Sequence, residues 1–245
     1  MDRRTDLTDL TDLIIALDFP RSDLAFRLID QLEGLSVIYK VGFELFMSAG
    51  PDFVRELVHR KNRVFLDLKL HDIPCTVAKA VERAAFLQVE MMTIHIAGGG
   101  RMARTVVEEI RKIPHLCPKI LGVSVLTSFD DVHWAELSRA LTGHAVTPWE
   151  SVQGLTELAA SWGIDGVVCS VFELAQLKAR FPSLYFVVPG IRPEGFASHD
   201  QVRIGTPRQA HELGANAVVV GRPIIQANHP RRLVEAILQE LAAPK

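Results

Sequence analysis

Eight short runs rich in β-branched and other apolar residues recur along the chain, and this alternation limits its fold more than any single residue does. They are LIIALD (13–18), VIYKVG (37–42), RVFLDLKL (63–70), MMTIHIA (91–97), KILGVSVLT (119–127), DGVVCS (165–170), LYFVVPG (184–190) and NAVVVG (216–221). The stretches between them carry helical spacing. In SDLAFRLIDQLEG, Leu24, Leu28, Ile29 and Leu32 share one face, Ser22 is placed to cap the start, and Gly34 is placed to stop the end. PCTVAKAVERAAFLQ opens on Pro74, which suits a first helical turn. Eight strand–helix units in 245 residues, about 30 residues each, predict a parallel (β/α)8 barrel, the TIM-barrel class. An open doubly wound sheet is the competing topology. Its first strand usually runs into a glycine-rich turn, whereas here that turn reads LDFPRSD.

No Pro/Gly/Ser-rich linker divides the chain, so residues 1–245 read as one domain, with 1–12 a polar leader; TDL repeats three times from Thr5 to Leu13, where the first strand begins. The longest connection, from Thr127 to about Ser151, has room for an extra helix and a loop over the barrel mouth. Hydrophobic residues at 48% against 23% charged favour an ordered globule over a disordered chain. A formal net charge of −2 argues against a nucleic-acid partner, which usually demands a basic face. No apolar run is long enough to span a membrane, and the N-terminus lacks the apolar core of a signal peptide. The three cysteines, Cys75, Cys117 and Cys169, are odd in number and lack CxxC spacing, which fits reduced thiols and a cytoplasmic location.

In a (β/α)8 barrel the chemistry gathers at the C-terminal strand ends. Those ends here carry Asp18, Lys40, Asp67, Lys69, His95, Ser124, Arg192 and Arg222. Period two on the third strand puts Leu66, Leu68 and Leu70 on one face and Phe65, Asp67, Lys69 and His71 on the other. The leucines then pack outward under helices, and Asp67 and Lys69 point into the mouth. A plain structural ion pair is the alternative, but burying such a pair often gains no stability over apolar residues, so it marks a candidate site. Lys40 ends the neighbouring strand and Asp72 lies just past the third, which suggests an alternating Lys–Asp–Lys–Asp network. A ligand carboxylate about 4 Å from such an aspartate would meet repulsion of about 4 kcal/mol at an effective dielectric of about 20.

The far end of the chain suits a phosphate. PGIRPEG (189–195) closes the seventh run and VGRPI (220–224) the eighth, where barrels of this class often hold phosphate groups. Arg192, Arg222 and the amides at Gly221 and Arg222 fit that use. His95 either lines the mouth or fills the core. His133, His144, His199 and His229 fall in predicted loops without ligand spacing. The sequence has no HExxH, no Cys/His cluster and no carboxylate cluster free of lysine, so no metal is expected. No glycine-rich nucleotide fingerprint appears either.

The stretch DLKLHDIPCT resembles the Asp-x-Lys-x-x-Asp-Ile-Pro-x-Thr pattern of the orotidine 5′-phosphate decarboxylase family. ALDF, YKVGFELF, HIAGG, VSVLTS, VPGIRP and VVGRPI agree in order and context, so the resemblance runs from about Leu13 to Leu241. Cys75 stands where bacterial relatives often have Asn, and Ala97 where Ser is common; neither touches the charged residues. The resemblance implies conversion of orotidine 5′-monophosphate to UMP and CO2, the last step of de novo UMP synthesis, without metal or organic cofactor. It implies Lys69 as proton donor to C6, Asp67 beside the departing carboxylate, and Lys40 with Asp18 on the ribose hydroxyls and the charge network. It further implies a homodimer in which Asp72 and Thr76 reach the neighbour's site. Ser124 and Thr127 match positions contacting the pyrimidine and a loop, Arg192, Gln201, Gly221 and Arg222 the phosphate grip, and Ile73 and Pro189 further substrate contacts.

Three other readings remain open on the residues. A metal-dependent sugar-phosphate decarboxylase or synthase of the same superfamily shares Asp-x-Lys-x-x-Asp but lacks the IPxT that follows. A Schiff-base aldolase would need Lys69 neutral, against the pull of Asp67 and Asp72. A non-catalytic phosphate-binding barrel leaves the charged set unexplained.

Overall fold

The computed structural model describes residues 11–193 and 205–243. Within them, eight parallel strands close into a barrel in sequential order. The strands are β1 (Asp12–Ala16), β2 (Ile38–Val41), β3 (Arg63–Leu70), β4 (Met91–His95), β5 (Lys119–Val123), β6 (Gly166–Val168), β7 (Tyr185–Val188) and β8 (Ala217–Val220). The helices are α1 (Ser22–Gln31), α2 (Phe43–His59), α3 (Pro74–Ala85), α4 (Gly99–Arg111), α5 (Asp131–Thr142), α6 (Pro148–Ser161), α7 (Val171–Arg180), α8 (Pro207–Glu212), α9 (Arg222–Ile225) and α10 (Pro230–Leu241). The sheet closes where β1 pairs with β8, Asp12 opposite Ala217 and Ile15 opposite Val220.

Period two sorts each strand between two apolar cores. Ile14 and Ala16 of β1 join Ile38, Phe65, Met91, Leu121, Val187, Ala217 and Val219 inside the barrel. Their neighbours Leu13, Ile15 and Leu17 face the helical ring, as do Leu28, Ile29 and Leu32 from and just after α1. Pro74 is the first residue of α3, as its sequence suits. Ser22 does not cap α1: Arg21 holds the N-cap position without a side-chain bond, and Ser22 is already helical. Gly34, at φ +82, ends the turn after α1, where a side chain would strain the backbone.

Thr11 and Asp12, read with the leader, belong to the barrel. The Thr11 hydroxyl donates to the carbonyl of Ala215 at 2.7 Å, and Asp12 opens β1. The rest of the leader, 1–10, lies outside the described residues. The long connection after β5 does hold an additional helix, α5, braced on α6 by a bond from Trp134 Nε1 to Ser151 Oγ at 2.8 Å. His133 is in the first turn of α5, not in a loop, where its amide donates to Asp130 at 2.8 Å. Cys75, Cys117 and Cys169 are free thiols. Among the described residues, no helix is long and apolar enough to cross a membrane.

A polar network closes the N-terminal end of the barrel. Arg63, at the start of β3, donates to Asp12 at 2.7 and 3.1 Å and to Glu90 at 2.7 Å through two nitrogens. Tyr185 adds a bond to Asp12 at 3.2 Å. These partners hold the Arg63 guanidinium charged, and burial beside Asp12 raises the Tyr185 phenol above its ordinary value.

Candidate active site

A cavity of about 240 Å3 opens at the opposite, C-terminal end of the barrel. One wall is charged: Asp18 after β1, Lys40 on β2, and Asp67 and Lys69 on β3. The other carries Thr127, Pro189, Arg192, Gly221 and Arg222, and the floor is the apolar interior, with Phe65, Val187 and Val219. Nine of the residues singled out in the sequence therefore meet in one concavity, drawn from six strands and the loops after them.

The charged wall is a chain of alternating sign. Lys40 Nζ lies 3.2 Å from Asp18 Oδ1 and 3.8 Å from Asp67 Oδ2, and Lys69 Nζ lies 2.8 Å from the same Asp67 oxygen. Asp67, only 8% exposed, is its centre. Its second oxygen accepts a hydrogen bond from the Thr93 hydroxyl at 2.9 Å. Burial by itself pushes the Asp67 carboxyl up. Lys40 and Lys69, with hydrogen bonds from Lys69 and Thr93, outweigh it and hold the group below the usual carboxylate range. The order within one chain is thus Asp18–Lys40–Asp67–Lys69, and the fourth member is Asp18 rather than Asp72. Asp72 lies past the strand end, where the chain turns into α3, and its carboxylate accepts from the Ile73 amide at 2.6 Å.

The inward setting of Asp67 and Lys69 follows from β3. Phe65 faces the interior core, while Leu66, Leu68 and Leu70 pack on the outer one, as period two requires. The register with β4 breaks in between. Leu66 pairs with Met92 and Leu70 with Ile94, so Asp67, Leu68 and Lys69 stand opposite the single residue Thr93. Lys69 adopts φ +40, a left-handed conformation that an L side chain rarely takes.

Other sequence candidates, and two of those in the cavity, have the following surroundings. Asp72, Ile73 and Thr76 are exposed on this chain and line no part of the cavity, with Ile73 at 67% exposure. Ser124 is buried between two cavity-lining valines, and its hydroxyl donates to the Val168 carbonyl at 3.0 Å, tying β5 to β6. Gln201 lies outside the described residues. His95 is half-buried at the end of β4, its ring centroid 5.5 Å from that of His71. Burial first, then His71 and Lys69, lowers the His95 imidazole below its ordinary value. Arg192 is buried, its side chain donating to the Ile191 carbonyl at 2.9 Å. Gly221 closes the gap between the walls, since a Cβ there would lie 3.2 Å from Ala16 Cβ and 3.5 Å from Asp18. Among the described residues, no three His, Cys, Asp or Glu side chains gather as a metal-ligand set. Sequence reasoning passed over Thr93; its signal was a lone hydroxyl at an inward position, in register with Met91 and His95.

A closed parallel barrel with its cavity at the C-terminal face, ion pairs on one wall and arginines on the other, defines a (β/α)8 protein with its candidate site where enzymes of this fold place theirs. Residues 11–237 match the model of the orotidine 5′-phosphate decarboxylase / HUMPS family, and the chain belongs to that family. It is 46% identical over 232 residues to an orotidine 5′-phosphate decarboxylase of Pseudomonas syringae pv. syringae, covering 95% of this chain and 98% of the relative. Among solved structures it resembles orotidine 5′-phosphate decarboxylase from Lactobacillus acidophilus, with a TM-score of 0.83, 34% identity, and coverage of 95% of this chain and all of that one. An uncharacterized conserved protein from Geobacillus kaustophilus is similar as well, with a TM-score of 0.80 and 33% identity over 94% of this chain and 99% of that one.

Proposed function

We infer that the protein is a carboxy-lyase that converts orotidine 5′-monophosphate to UMP and CO2, closing de novo pyrimidine synthesis in the cytoplasm. The observation that carries this reading is the Asp18–Lys40–Asp67–Lys69 chain, set across a cavity from Arg192 and Arg222. Loss of CO2 from C6 of the pyrimidine leaves a carbanion that no delocalising group shares. The Lys69 ammonium, fixed by Asp67 at 2.8 Å, stabilises that charge as it forms and then delivers the proton. The substrate carboxylate faces Asp67 and is repelled by it, and the neutral CO2 is not. Arg192, Arg222 and Gly221, with Gln201, grip the phosphate, so that binding energy far from the reacting carbon offsets the crowding at Asp67. Lys40 and Asp18 take the ribose hydroxyls, while Thr127 and Pro189 form the wall against the base.

The same ion pair stands against a Schiff-base mechanism, which needs a neutral lysine. In this reading the active unit is a homodimer. Ile73, which follows β3, and Phe43 and Met47 of α2, which follows β2, expose apolar side chains at 67, 55 and 81%, apolar surface of the kind a second copy would cover. Asp72 and Thr76 would then complete the neighbour's cavity. Purified protein incubated with orotidine 5′-monophosphate in EDTA is expected to deplete the substrate's pyrimidine absorbance. Absence of turnover, or strict dependence on Mg2+, overturns the reading.

A further inference from the structure

Thr93 has no assigned part in the chemistry, yet it touches both halves of the Asp67–Lys69 pair. Its side chain is 1% exposed and points into the barrel from β4. The Lys69 amide donates to its hydroxyl oxygen at 2.8 Å, and the hydroxyl donates in turn to Asp67 Oδ1 at 2.9 Å. A hydroxyl has one proton to give and lone pairs to accept, and here both capacities are spent on the same two residues.

The register explains why a side chain is needed. With three residues of β3 facing one of β4, an ordinary ladder has no backbone carbonyl of β4 to offer every amide of the bulge. The Thr93 hydroxyl takes that place for Lys69. The two additional residues on β3 also preserve alternation, since an even insertion keeps Asp67 and Lys69 inward and Leu66 and Leu70 outward. The bulge brings Lys69 to φ +40, and such a backbone persists only when its surroundings fix it. At Asp67 the division of labour is complete: both lysines share Oδ2, and Thr93 holds Oδ1. Without that bond the carboxylate is free to turn about its last torsion, and Lys69 Nζ turns with it.

We propose that Thr93 is a positioning residue for the proton donor: its single hydroxyl locks the bulged backbone of Lys69 and the rotamer of Asp67 together, aiming Nζ into the cavity. For its kinetic readout this rests on the decarboxylase reading, so the wild-type protein is assayed alongside; failure of the wild type to turn over indicts that reading and leaves the geometry of Thr93 to a structural readout.

Thr93→Val keeps the shape and removes the hydroxyl. It is expected to lower kcat by about 100-fold, the scale of a misplaced catalytic group, with KM within about threefold because the arginines are untouched. Thr93→Ser restores the hydroxyl and is expected to keep kcat within about threefold of wild type. If Thr93 only fills the core, folded Thr93→Val turns over at the wild-type rate, which overturns the proposal. A serine variant as slow as the valine variant overturns it too. If the valine variant does not fold, Thr93→Cys replaces it: it differs from serine only in a poor hydrogen-bonding sulfur and must be the slower of the two. The readout free of activity is a crystal structure of Thr93→Val or Thr93→Cys. Lys69 leaving positive φ, or Asp67 rotating, supports the lock; an unchanged pair refutes it.

Discussion

Replacing Lys69 by methionine separates what the ion pair does for the fold from what it does for the reaction. The side chain keeps most of its length, one heavy atom shorter, and loses its charge. At 2.8 Å and an effective dielectric of about 20, the lost attraction to Asp67 is about 6 kcal/mol before any compensation. Part of it returns, because the ammonium no longer gives up solvent. Removing one partner of a buried pair costs about 3–5 kcal/mol when the other charge is left alone. Asp67 is not left alone, since Lys40 remains at 3.8 Å and Thr93 at 2.9 Å. A net loss of about 2 kcal/mol is the expected result at neutral pH, a fall in Tm of about 4–8 °C for a domain of this size. The pH dependence fixes the cause. Asp67 is held below the ordinary aspartate value of 3.8, so its contribution is present above that pH and is lost as pH falls further, through the folded value. The Tm gap between wild type and Lys69→Met should therefore shrink below pH 3.8. In the turnover assay the variant should lose at least about 10^4 in kcat, the upper range for a general acid, while UMP binding by titration changes less than about tenfold. A variant as stable as wild type at neutral pH, or a gap that widens in acid, refutes the electrostatic account. More than about 1% residual activity refutes Lys69 as the donor.

At the other end of the barrel, Arg63→Met breaks four hydrogen bonds to Asp12 and Glu90 that are partly open to solvent. Unfolding should show a loss of about 1–2 kcal/mol, with kcat of the folded protein unchanged; a large fall in kcat would tie the two ends together. Lys69→Ala and Asp72→Ala proteins, each inactive alone, should recover activity when mixed under conditions that exchange subunits. No recovery despite demonstrated exchange removes Asp72 from the neighbour's site. Burial holds His95 below the ordinary histidine value of 6.5, so the unfolded chain takes a proton that the folded one refuses, and stability should drop as pH falls below 6.5. His95→Asn should flatten that slope in urea titrations, and an unchanged slope assigns it to another group.

Much of the site was legible because barrel geometry is periodic. Asp67 and Lys69 alternate with leucines, and two positions in a row with opposite charge on the inward face leave few other meanings. Arg192 and Arg222 were legible from their place after the last two strands. Asp72 stands apart from the charged wall of its own chain, because distance along the chain says nothing of the turn into α3, which carries its carboxylate toward the Ile73 amide. The bulge at Thr93 and the positive φ of Lys69 leave no local mark, since they arise from the register between β3 and β4. The Arg63 network is similar: Asp12, Glu90 and Tyr185 come from separate elements, and only barrel closure brings them to one guanidinium.

The pairing of β1 with β8 has a consequence for how the protein is made. The two strands are the first and last of the chain, and bonds such as Thr11 to His211 span 200 residues. Asp18 follows one strand and Gly221 with Arg222 follows the other, so the two walls of the cavity meet across this seam. Long-range pairings of this kind carry the largest loop-closure cost and form late. A nascent chain that has emerged through β7 already contains all four charges of the Asp18–Lys40–Asp67–Lys69 wall, yet it has no Gly221 or Arg222 to face them. On the proposed function, catalytic competence arrives with the final strand, and regain of turnover during refolding serves as a clock for ring closure.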